Sequence, residues 1–134
     1  MKVKFCIATF IVISLFIPRN VWAADNTLTS GTELLRQCQA GERIIDDRRY
    51  IATQQDAIGA GYCIGMVMGI SSSQNTYSDS LPIRHEYKVC LPDGTTTEQN
   101  LRVVLKYLRN HPEELHRPGF DLIFKAFLEA YRCK

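Results

Sequence analysis

Residues Cys90–Cys133 read CLPDGTTTEQNLRVVLKYLRNHPEELHRPGFDLIFKAFLEAYRC, and this stretch decides the fold. Leu101, Val104, Leu105 and Leu108 recur at i, i+3, i+4 and i+7, the spacing of one buried helical face, while Arg102, Lys106 and Arg109 fall on the other side. Thr95 and Glu98 make a capping box ahead of that helix. After Asn110, His111 precedes Pro112, which suits the first position of a helical turn, and Pro118 can open the last helix in the same way. Phe120, Ile123, Phe124, Phe127 and Tyr131 then predict a bulky core face, with Asp121, Lys125 and Glu129 spaced i, i+4 toward water. The stretch reads as a helical hairpin written between two cysteines.

Antiparallel packing brings the start of one helix beside the end of the other, so Cys90 is expected to meet Cys133. Cys38 is then left for Cys63, tying an earlier helix to the next one. This is one of the three connectivities that four cysteines allow.

The N-terminus places those cysteines in an oxidising compartment. Lys2 and Lys4 precede an apolar run from Phe5 to Ile17, and Val21-Trp22-Ala23 offers a small-residue cut before Ala24. This is the pattern of a secretory signal peptide over residues 1–23. Thirteen apolar residues are too few for the roughly 20 that span hydrocarbon, so no membrane anchor is expected after cleavage. Cys6 leaves with the signal, and an even set of four cysteines in an exported chain favours two disulfides.

Removing Lys2, Lys4 and Arg19 from the sixteen basic residues leaves thirteen against fourteen acidic ones, so the basic balance of the whole chain belongs to targeting. With both signs interspersed and no basic run, nucleic acid is not an expected partner. Residues 24–134 suffice for one domain, which would bury about 65% of its unfolded surface.

Working outward, Ala24 to Thr29 is a polar lead-in. Ser30 and Glu33 predict the start of a first helix carrying Leu34, Leu35 and Cys38 and ending near Gly41. Glu42 to Thr53 is charged and reads as a connection or a broken helical turn. From Gln54 to Ser72 the chain turns apolar but carries Gly59, Gly61, Gly65 and Gly69. Four helical glycines cost about 3 to 4 kcal/mol against alanine, so close packing is expected to compensate. Gly61, Gly65 and Gly69 form a smooth stripe, read here as the contact face of a central helix in a small bundle rather than a membrane dimer motif. Ser71 to Val89 is the least patterned part and reads as a long loop, either a binding segment with interface-type residues or a solvated linker closed by the Cys90 staple.

Chemistry finds little support. His111 and His116 stand five apart, about 140° round a helix, where a zinc-binding His-Glu-x-x-His pair stands four apart, and no close cysteine pair exists for zinc either. Each mature cysteine has a disulfide partner, which removes a thiol nucleophile. No Gly-x-Ser-x-Gly elbow is present, and Asp46-Asp47 diverge as neighbours on a helix. No metal, cofactor or catalytic residue is expected, and a binding module precedes an enzyme in the reading.

Taken together, the signal peptide, Leu35 to Cys38, Gly61-Tyr62-Cys63-Ile64-Gly65 with Met68-Gly69, Cys90-Leu91-Pro92, and the Val103 to Leu108 helix leading into His111-Pro112-Glu113-Glu114-Leu115 make the chain resemble the Rap1a/Tai family of type VI secretion immunity proteins. The resemblance covers most of residues 24–134. It implies a periplasmic, all-α, disulfide-stapled bundle of about four helices that binds and blocks a peptidoglycan-cleaving amidase effector, protecting a Gram-negative cell from its siblings. The matching residues are mainly scaffold, so the contact surface is a separate choice. It falls on the Tyr77 to Tyr87 loop, with Tyr77, Arg84, His85, Glu86 and Tyr87 as effector-binding candidates, because a stapled protruding loop enters an enzyme cleft at little ordering cost. A homodimer through the glycine stripe fits the same reading. The alternative is a periplasmic chaperone or envelope-binding protein without a toxin partner, which would bind many unfolded clients instead of one folded protein.

Overall fold

The computed structural model describes residues 30–47, 49–80, 82 and 84–134. The expected signal peptide and the polar lead-in lie outside the described residues. Four helices follow one another: α1 (Gly31–Asp46), α2 (Gln54–Ser80), α3 (Thr97–Asn110) and α4 (Gly119–Ala130), with short 3₁₀ turns at His85–Tyr87 and Pro112–Glu114. The described residues form no strand; two isolated bridges, Ser30 with Pro118 and Val89 with Arg132, are the only extended pairings among them.

Ser30 caps α1, its hydroxyl accepting the Glu33 amide at 3.3 Å. The Glu33 carboxylate takes the Arg36 guanidinium and the Gln37 amide. The amides of Gly31 and Thr32, which have no partner inside the helix, donate to the carbonyls of Arg117 (2.8 Å) and Leu115 (3.0 Å) in the turn ahead of α4. Leu34, Cys38, Ala40 and Gly41 face inward. The helix does not stop near Gly41, which is buried where a Cβ would come within 3.7–3.8 Å of Leu101, Ala60 and Ile64; the following turn is held to α3 by Glu42–Arg109 and by Asp46–Arg102 at 2.7 Å. It ends at Asp47, whose backbone turns extended.

α3 carries the densest core face. Leu101, Val104, Leu105 and Leu108 are each at most 1% exposed, as their spacing predicts, and together with Leu34, Val67, Leu122, Ile123 and Phe127 they form one cluster. Each such side chain removed from water stabilises by about 1.5–3 kcal/mol. The cap of α3 is Thr96, which accepts the Gln99 amide at 3.1 Å, and not Thr95. Thr95 is engaged one step earlier, donating to the Pro92 carbonyl and closing a turn with Gly94 at φ +79°. In α4 the buried set is Leu122, Ile123, Ala126 and Phe127, whereas Phe120, expected in the core, is 57% exposed. It stands in the first turn of the helix.

Of the expectations for the glycine-rich helix, one is overturned. α2 touches each of the other three helices, and Gly59, Ala60, Cys63 and Val67 are its buried residues. The stripe of Gly61, Gly65 and Gly69 is not the packing face, since, the helix's own backbone aside, no heavy atom of the described residues lies within 4 Å of where their Cβ atoms would stand. The close approach is made by Gly59, where a Cβ would meet Gln37 Cγ at 3.2 Å. The register follows from the Cys38–Cys63 bond, which sets α1 against the Gly59–Cys63 side of α2.

Both disulfides pair as geometry predicts, Cys38 with Cys63 and Cys90 with Cys133, at Cα separations of 5.2 and 5.0 Å. No described helix is long and apolar enough to cross a membrane.

Candidate functional site

Position by position, the predicted binding segment divides in two. Ser71 to Ser80 is not a loop: α2 continues to Ser80, its serines 71 and 73 folding their hydroxyls back onto the carbonyls of Met68 (3.0 Å) and Ile70 (2.8 Å), which satisfies them without breaking the helix. Tyr77 therefore belongs to α2 and its side chain lies outside the described part of the structure. It is not part of the segment that holds the other four candidates.

Arg84, His85, Glu86 and Tyr87 form that segment, a single 3₁₀ turn with its amides closed locally, Tyr87 N–H on Arg84 O at 2.9 Å and Lys88 N–H on His85 O at 3.1 Å. All four side chains are exposed. The Arg84 guanidinium reaches the Glu86 carboxylate at 3.2 Å and lies 5.1 Å from the centre of the Tyr87 ring. His85 Nε2 sits 3.2 Å from the carbonyl oxygen of Lys134.

These exposed contacts contribute little, about 0–1 kcal/mol for the ion pair and about 0.5–1 kcal/mol for the cation on the ring. What holds the segment is the backbone behind it. Val89 is 1% exposed in the core and bridges Arg132; the Cys90 amide donates to Tyr131 O at 2.8 Å and the Cys133 amide to Lys88 O at 3.4 Å, beside the Cys90–Cys133 bond. A turn with four polar or aromatic tips is thus mounted on a covalently closed base. Such a turn presents side chains without first having to be ordered, which is the property that favours insertion into a partner's cleft.

The histidine and glutamate cluster is a structural turn. Glu114 accepts from the Tyr107 hydroxyl at 2.8 Å and from Lys125 at 2.6 Å, which together hold its carboxyl below the usual range, the lysine being the larger cause. Burial, and then the Glu114 carboxylate, push the Tyr107 phenol up to about 12. His111 stacks on Tyr107, ring centres 4.2 Å apart, and stands between Glu113 (3.3 Å) and Glu129 (3.6 Å). His116 turns away, its Nδ1 3.0 Å from Glu113 O. Among the described residues no three His, Cys, Asp or Glu side chains are grouped to hold a metal ion.

Two buried polar residues were not singled out by sequence reasoning. Gln37 and Asn100 are each 4% exposed, and the side-chain oxygen of each has no hydrogen-bond partner. The signal was present for Asn100, which stands four residues before Val104 on the apolar face of α3 and is the one polar residue in that row.

Comparison with curated proteins and with solved structures finds no match to this chain. A family model described as Rap1a immunity proteins does match, over residues 30–133, which takes in all four helices, both disulfides and the stapled turn. The chain belongs to the Rap1a immunity protein family.

Proposed function

We propose that this protein acts in the periplasm as the immunity partner of a type VI secretion effector, a peptidoglycan-cleaving amidase, and that the Arg84–Tyr87 turn enters the toxin's cleft. The family match over residues 30–133 carries the reading. Export is supported by the signal-like residues 1–23 and by two disulfides, which persist in oxidising compartments. The choice of the turn is supported by its exposure and its stapled base. Its arginine and tyrosine are residue types that dominate binding energy at protein interfaces.

The same reading includes a homodimer across the outer face of α2, where Ile58, Tyr62 and Met68 are exposed beside the open glycines. Sedimentation of the exported protein tests this directly; a monomer at high micromolar concentration would remove the dimer from the proposal.

The decisive experiment deletes the gene and grows the mutant in dense contact with its parent, with and without a copy that carries the signal peptide. Selective killing of the mutant, cured only by the exported copy, is expected. Arg84→Ala with Tyr87→Ala in the curing copy should then restore killing while the protein accumulates normally. Unharmed mutants beside a parent whose secretion system is firing would favour the chaperone or envelope-binding reading.

A further inference from the structure

The two disulfides stand in different surroundings. Cys38 and Cys63 are each 0% exposed and belong to the core cluster with Leu34, Val67 and Leu105. Cys90 is exposed and Cys133 half-buried, and neither belongs to that cluster. The backbone explains the difference: Lys88 is extended and Val89 lies in an isolated bridge with its side chain 1% exposed. Successive side chains of an extended segment point to opposite faces, so a buried Val89 turns Cys90 outward.

A disulfide opens when a thiolate attacks one of its sulfurs, and the rate depends on access. A bond sealed in the core reacts only through an opening of the fold, whereas a bond at the surface can be met without one.

What the Cys90–Cys133 bond holds is also local. It ties Lys88–Cys90 to Tyr131–Cys133, directly behind the Arg84–Tyr87 turn. Beside it run two backbone hydrogen bonds, Cys90 N–H on Tyr131 O at 2.8 Å and Cys133 N–H on Lys88 O at 3.4 Å, the second beyond the usual range. The core cluster and the Cys38–Cys63 bond lie elsewhere, so the four helices keep their own support when this staple is cut.

We infer that Cys90–Cys133 is the exchange-active disulfide of this protein: a protein dithiol opens it while Cys38–Cys63 stays closed, and opening frees the base of the Arg84–Tyr87 turn without unfolding the bundle. One thiolate of the reductant attacks the Cys90 sulfur; the S–S bond breaks and its electron pair leaves on Cys133, which takes up a proton. The reductant's second thiolate then attacks the sulfur joined to Cys90, closing the reductant's own disulfide and releasing Cys90 as a thiol. Two electrons and two protons pass from dithiol to protein, and nothing else is consumed. The chemistry involves no effector; its consequence for binding rests on the role proposed for the turn, whose ordering in advance the reduced form gives up.

The test incubates the exported, disulfide-bonded protein with dithiothreitol in native buffer, quenches samples at intervals with excess N-ethylmaleimide and locates the blocked thiols by peptide mass spectrometry. Thiols at Cys90 and Cys133 should appear about tenfold or more faster than at Cys38 and Cys63, because only the buried bond waits on an opening. In urea above the unfolding midpoint the two bonds should open at similar rates, which assigns the difference to the folded structure. Hydrogen exchange of the singly reduced protein should rise at the Tyr87, Lys88 and Cys90 amides, stay low at the buried Leu105 and Leu108 of α3, and return to its starting pattern on reoxidation. Equal rates in native buffer, Cys38–Cys63 opening first, a ratio as large in urea, unchanged exchange at Tyr87–Cys90, or exchange rising through α3 would each overturn the assignment. No effector enters the experiment, so its failure and that of the immunity reading are separable.

Discussion

A Cβ built on Gly31 would stand 2.9 Å from the carbonyl oxygen of Leu115, because the first amides of α1 are bonded into the turn that precedes α4. Backbone cannot swing aside as a side chain does. Gly31→Ala should therefore destabilise the protein by about 1–3 kcal/mol, the usual cost of overpacking. Gly65→Ala should do the opposite, adding about 0.5–1 kcal/mol, since nothing described lies within 4 Å and alanine is the better helix former. Urea denaturation of the two variants checks both signs.

The two disulfides should differ in what their loss exposes. By loop length, with separations of 25 and 43 residues, their removal costs about 3.5 and about 4 kcal/mol. Cys38→Ala with Cys63→Ala loosens α1 from α2 and should lower global stability while amides of Lys88 and Cys90 keep their protection. Cys90→Ala with Cys133→Ala should also raise hydrogen exchange at Tyr87, Lys88 and Cys90, because the base of the turn is released. Exchange followed by mass spectrometry separates the two patterns.

Acid should weaken the fold through particular carboxyls. Glu33, Asp56 and Glu114 are held below their ordinary values, chiefly by Arg36, by the Tyr50 hydroxyl and by Lys125 respectively. A carboxyl whose folded value is depressed stabilises above its unfolded value and loses that contribution as pH falls through the folded one. Thermal midpoints should accordingly be flat from neutrality down to about pH 4.5 and fall below it. At the alkaline end the sign reverses. Tyr107, pushed up to about 12, stabilises below its ordinary value of 10 and loses that contribution between about pH 10 and 12. Tyr107→Phe should abolish that alkaline share, measured by fluorescence-detected unfolding across pH.

The Arg84–Tyr87 turn should prove separable from folding. Arg84→Ala and Tyr87→Ala remove only exposed contacts, so each should change stability by no more than about 0.5 kcal/mol. A loss of protection against the effector in these variants then reports binding and not unfolding. A thermal midpoint lowered by many degrees in either variant would contradict the placement of the turn outside the core.

Legibility followed range. The Leu101, Val104, Leu105 and Leu108 face, the Ser30 cap and the cysteine pairing could be read from the chain, because helical period, capping and the return of an antiparallel hairpin are local rules. The helix through Ser71–Ser80 could not, since serines and asparagine favour turns unless their hydroxyls fold back onto the helix, as Ser71 and Ser73 do. Of the candidate binding residues, Arg84 to Tyr87 do form one exposed turn, while Tyr77 falls on α2, and the buried Asn100 passed unnoticed within an apolar row.

By itself the sequence determined that the chain is helical, exported in pattern and supplied with an even set of four cysteines after residue 23, for these depend on periodicity and on residue type. Only the tertiary structure decided which glycine is pressed against a neighbour and which three lie open. Seen along the chain, Gly59, Gly61, Gly65 and Gly69 all lack a side chain equally. The bond from Cys38 to Cys63 and the packing of Gln37 over Gly59 turn one side of α2 inward and leave the stripe at 61, 65 and 69 facing out, and that rotation is set by partners distant in sequence.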